Sequence, residues 1–138
     1  MFKIAMGVSW YVKVVYEWYR ECEKKGLSNC DKEAFRKFGY WRHEASHGSC
    51  YELWEKADEY FEKIGLDYRY PEYLDVNKFF CWPFKGELDY NEKVYRLLKE
   101  ALRYAEENIN DEFLKLHAKF LIKLIETAEK LKSGIICI

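Results

Sequence analysis

A chain of 138 residues has the size of one domain and can bury a single sizeable core. Its 23 basic and 24 acidic residues leave a net charge near −1, which excludes a field strong enough to hold nucleic acid or an anionic membrane without a local patch. No apolar run reaches the ~18 residues of a membrane span, and the apolar start, Met1 to Val8, runs into Lys13, Glu17, Arg20 and Glu21, so a soluble, cytoplasmic protein with no membrane partner is expected.

In chain order, Ser9 is placed to cap a first helix with Tyr11, Val14, Val15, Trp18 and Cys22 on one face and Gly26 at its end. The β-branched and aromatic run from Trp10 to Tyr16 leaves a strand as the lesser reading. Asp31 can cap a second helix through Phe35, Phe38, Arg42 and Ala45 that Gly48 would stop, with Gly39 weakening it. Ser49 and Glu52 form a capping box ahead of Leu53, Trp54, Ala57, Phe61 and Ile64, a third helix closed by Gly65.

From Leu66 to Tyr90 the helical pattern lapses at Pro71, Pro83 and Gly86 amid Tyr68, Tyr70, Tyr73, Phe79, Phe80, Trp82 and Phe84. This reads as a long aromatic loop with room for a short helix around Val76. Asp89 with Glu92 opens a fourth helix over Val94, Leu98, Ala101, Leu102 and Ala105. A fifth follows Asn108 to Asn110, carrying Phe113, His117, Phe120, Leu121, Leu124, Ala128 and Leu131 until Gly134. The fourth and fifth read as an antiparallel hairpin, and His117 as a satisfied core histidine. The expected fold is therefore one all-α domain over residues 1–138, an up-and-down four- to five-helix bundle with a long aromatic loop.

The absence of Gln, the single Thr127 and the abundance of Lys and Glu form the bias seen in hyperthermophiles, and an archaeal or archaeal-virus origin fits it. Cys22, Cys30, Cys50, Cys81 and Cys137 show neither a CxxC pair nor finger spacing. One or two disulfides with an odd cysteine left over are compatible with such an origin. Aromatic residues reach 19% of the chain, and their helical spacing assigns most of them to the core rather than to base stacking.

The chemistry-bearing segment is Arg42-His43-Glu44-Ala45-Ser46-His47-Gly48. Its Arg, four intervening residues and His resemble the Arg-x4-6-His signature of HEPN-class nucleases, and RHEATH-like segments are typical of the branch that cleaves precursor ribosomal RNA. The resemblance implies a metal-independent endoribonuclease acting as a homodimer on RNA. Arg42 would clamp phosphate and His47 would move protons, with His43 and Glu44 as further candidate site residues. Five residues do not share a helical face, so convergence needs the helix to end near Ser46.

The same residues read as His-Glu-x-x-His resemble a zincin, with His43 and His47 one helical turn apart and Glu44 activating a metal-bound water. No third ligand follows at recognised spacing, so no bound metal or other cofactor is expected. A further reading is a non-catalytic protein-interaction bundle, dimeric through the aromatic loop or the apolar tail from Ile135 to Ile138. The nuclease and zincin readings place the motif on a helix, and the interaction reading leaves it inert.

Overall fold

The computed structural model describes residues 7–67, 71–80 (side chains from 75) and 86–138. Within them the chain runs β1 (Gly7–Val12), α1 (Lys13–Lys24), α2 (Cys30–Phe38), β2 (Arg42–Ser46), α3 (His47–Lys63), α4 (Pro71–Phe79), β3 (Gly86–Leu88), α5 (Glu92–Asn108), α6 (Glu112–Leu131) and β4 (Ile135–Cys137). The four strands form one antiparallel sheet in the order β2-β1-β4-β3. The all-α expectation is thereby corrected: the protein is an α+β domain in which helices pack on an antiparallel sheet.

Three segments account for the difference. Residues 7–12 are a strand because Val8, Trp10 and Val12 bury at every second position, the period of a pleated strand with one covered face. The first helix therefore begins at Lys13 rather than after Ser9. The second helix stops at Phe38, since Gly39 takes φ +98°, a conformation unfavourable for any side chain. The chain then turns back to pair Trp10 with His43 and Tyr11 with Arg42.

The apolar tail is the third segment. It is not left in water but forms the internal strand β4, held between β1 and β3, with Ile135 and Cys137 buried. Burial in its own domain removes the tail as a motive for dimerisation. Gly134 is required just ahead of it, because a Cβ there would lie 2.7 Å from the Leu88 carbonyl oxygen.

The other helices follow their patterns with shifted ends. The N-cap of α3 lies three residues before the expected one: it is Ser46, its Oγ accepting from the Ser49 N–H at 3.1 Å. Asn91 rather than Asp89 caps α5, and Asp111 caps α6. The long connection contains α4, whose Val76 and Phe79 are buried with the adjoining Phe80, so these aromatic residues are core and not a docking loop. Tyr68, Tyr70, Trp82 and Phe84, with Cys81, lie outside the described residues.

The core is built where α6 crosses the sheet. Leu114, Ala118, Leu121, Leu124, Ile125 and Ala128 line the inner face of α6 and meet Leu98, Leu102 and Ala105 of α5, while Trp10 of β1 is fully enclosed and donates from Nε1 to the Phe79 carbonyl. A Cys22–Cys30 disulfide ties α1 to the start of α2, and Cys50 is a free, buried thiol whose pKa burial pushes up to about 12, so it is inert. No helix among the described residues is long and apolar enough to cross a membrane.

Candidate functional site

The RHEASHG segment is a strand followed by a helix start, and this redistributes its side chains. Along β2, His43 points to the core with 9% of its surface exposed, while Arg42 is half-buried and Glu44 exposed on the opposite face. Arg42 is held by Asp31 at 3.1 Å and Glu44 at 3.4 Å, with its guanidinium over the Trp41 ring. His47 is exposed in the first turn of α3, at the positive end of that helix rather than in the last turn of the preceding one.

Arg42 and His47 are therefore not brought together within one chain. Five residues of largely extended backbone separate their Cα atoms by about 16 Å, and the helical ending on which their convergence rested is not formed. His43 and His47 likewise lose the one-turn spacing of a zincin pair, since that spacing exists only on a helix. Among the described residues no three His, Cys, Asp or Glu side chains are gathered for a metal ion.

What the strand does bring together is His43 and a residue outside the motif. Its Nε2 lies 2.7 Å from Nδ1 of His117 on α6, and its Nδ1 lies 2.5 Å from the hydroxyl of Tyr40. Tyr40, His43 and His117 thus form a continuous hydrogen-bonded chain from the half-buried Tyr40 phenol to the interior. Phe120 packs on both His43 and Tyr40, and Phe113 meets the His117 ring edge-on with centroids 4.4 Å apart.

The far end of that chain is unsatisfied: His117 is 8% exposed, and its Nε2 is buried with no hydrogen-bond partner among the described residues. The expectation of a satisfied core histidine is half met, at Nδ1 only. Leaving such an atom unpaired costs about 1–3 kcal/mol. Burial, and for His43 also the neighbouring His117, disfavours the charged rings: the pKa of His43 falls to about 4 and that of His117 moves below its ordinary value. Both are neutral near pH 7.

His43, Phe113, Leu116, His117 and Phe120 line a half-open cavity of about 190 Å³. A more open cleft of about 510 Å³ adjoins it, bounded by Gly7, Glu44, Ala45, Ser46 and again Phe113 and His117. The two share His117 and Phe113, and together they run between α6 and the sheet at its β2 edge. Phe113 and Leu116 stand 64% and 48% exposed at the mouth. Comparison of the chain with protein-family models, characterised proteins and solved structures finds no match.

Sequence reasoning picked His43 for the wrong neighbour. Tyr40, Phe113, Leu116 and Phe120 carried no mark of a site, but Phe113, His117 and Phe120 do recur at helical spacing in α6. The one available signal was a histidine within that stripe, and its partner became identifiable only through the packing of β2 on α6, 74 positions apart in the chain.

Proposed function

We propose that this protein binds a small, largely apolar molecule in the cleft between β2 and α6. The observation that carries this reading is the apolar cavity between β2 and α6, lined by Phe113, Leu116, Phe120 and two neutral histidines, His43 and His117. An apolar pocket beside titratable residues of shifted pKa has the usual make-up of a ligand site. The inner cavity has room for one ring, and the outer cleft for a substituent that leaves past Phe113.

An endoribonuclease centred on Arg42 and His47 has less support. Within one chain the helical ending that would bring those groups together is not formed, and Arg42 is already occupied by two carboxylates. That reading keeps one route, a second protomer whose motif meets the first.

Titration of isotope-labelled protein with ethylbenzene, a ring that matches the inner cavity, tests the proposal. Saturable shifts of the Phe113, Leu116, His117 and Phe120 resonances, with the α5 face at Arg103 and Glu107 unmoved, are expected. No localised shift at millimolar ligand would overturn it.

A further inference from the structure

The sheet, in the order β2-β1-β4-β3, ends on β2, and that edge is open. The backbone groups of β2 divide by the alternation of an antiparallel ladder. Val12 donates to the Trp41 carbonyl, and in the same register Trp10 stands opposite His43 and Val8 opposite Ala45, so residues 41, 43 and 45 direct their N–H and C=O groups at β1. Ser9, opposite Glu44, exchanges both its bonds with Ile138 instead. The N–H and C=O groups of Arg42 and Glu44 therefore point outward, with no backbone partner among the described residues.

A second copy of β2 fits this edge in one register. Antiparallel pairing about a two-fold axis sets outward residues opposite outward residues, and the axis can stand within the charged stretch on Arg42, His43 or Glu44. Centred on Arg42 or on Glu44, it sets two like charges directly opposite, which destabilises a strand pair. Centred on His43, it sets Arg42 of each copy opposite Glu44 of the other, and both residue pairs are of the kind that exchange two N–H···O bonds. Arg42 keeps Asp31 at 3.1 Å, and its longer contact to Glu44 of its own chain, 3.4 Å, is the one exchanged.

So short a strand falls below the ~1,000 Å² of a stable interface, and α6 supplies the remainder. Phe113 and Leu116 are 64% and 48% exposed beside β2, Phe113 bordering the same cleft as Glu44 and Ser46. A two-fold axis through His43, perpendicular to the sheet, keeps the α6 helices of both copies on one face and brings these apolar side chains to the seam. We propose that two copies of this chain dimerise by pairing β2 with β2 about His43, with reciprocal Arg42–Glu44 contacts and with Phe113 and Leu116 flanking the seam. The contact is isologous and closes at two copies, and it forms whether or not the cavity is filled.

Sedimentation equilibrium of the parent at about 100 µM chain should give twice the 16.8 kDa of one chain. Glu44→Pro removes an outward N–H and no bond to β1, so this variant should keep the far-ultraviolet circular dichroism of the parent and dimerise at least about tenfold more weakly. Glu44→Arg and Arg42→Glu each set like charges opposite, and each should dimerise at least about tenfold more weakly than the parent. Mixed in equal amounts, the two charge variants restore opposite charges at both pairs and should form a heterodimer at least about tenfold tighter than either homodimer. A monomeric parent would leave the edge to a strand of another protein and overturn the proposal. A dimer indifferent to Glu44→Pro, or charge variants that fail to pair with each other, would overturn it as well.

Discussion

His43 Nε2 and His117 Nδ1, 74 positions apart in the chain, lie 2.7 Å from each other and join the edge strand β2 to helix α6. The pair is neutral when folded, with His43 at about 4 against an ordinary 6.5. The unfolded chain thus binds more protons between those values, and stability present above about pH 6.5 is lost as pH falls toward 4. Denaturant unfolding should show about 2 kcal/mol less stability at pH 5 than at pH 7 from this residue, a difference that His43→Gln should largely remove. An identical pH dependence in that variant would show that the ring is not buried neutral.

Adjacent positions on β2 should respond oppositely. His43→Ala leaves a void and strands both the Tyr40 hydroxyl and His117 Nδ1, which should cost about 3 kcal/mol. Glu44→Ala, one residue on and facing water, should cost no more than about 0.5 kcal/mol. Equilibrium unfolding of the two variants side by side checks the strand register, because comparable losses would contradict it.

Arg42→Ala breaks two partly exposed ion pairs and His47→Ala alters an exposed helix start, so each should change stability by no more than about 1 kcal/mol. Neither should alter affinity for ethylbenzene by more than about twofold. A large loss of binding in either, measured by the same titration, would place the ligand on the other side of β2.

The Cys22–Cys30 bond closes a short loop between α1 and α2. Cys22→Ser should lower stability by about 2–3 kcal/mol through the freed unfolded chain. Thermal unfolding of the oxidised parent and the oxidised variant, side by side, should give a lower midpoint for the variant. Equal midpoints would refute the contribution.

The helices were legible where their apolar faces were long. The stripes from Leu53 to Phe61, from Val94 to Ala105 and from His117 to Ala128 each repeat at 3.6 residues for two turns or more, enough to declare a buried face. The strands were not, for reasons of length and partner. β3 and β4 are three residues each, too short to display a period. β2 carries Glu44 and Ala45, good helix formers, and is extended only because β1 supplies its hydrogen bonds from far earlier in the chain, Gly7 standing opposite Ser46 and Trp10 opposite His43. One strand misread as a helix end then misplaced every side chain of the motif. Gly39, in a left-handed conformation, was the residue that could have ended the second helix on paper. His117 was visible on its stripe, but its unpaired nitrogen depends on what surrounds it in space.

A crystal structure of the protein soaked with ethylbenzene tests the central claim most directly. The account predicts the ring in the cavity bounded by Phe113, Leu116 and Phe120. A cavity that stays empty at saturating ligand, or a ring bound elsewhere on the molecule, would contradict it.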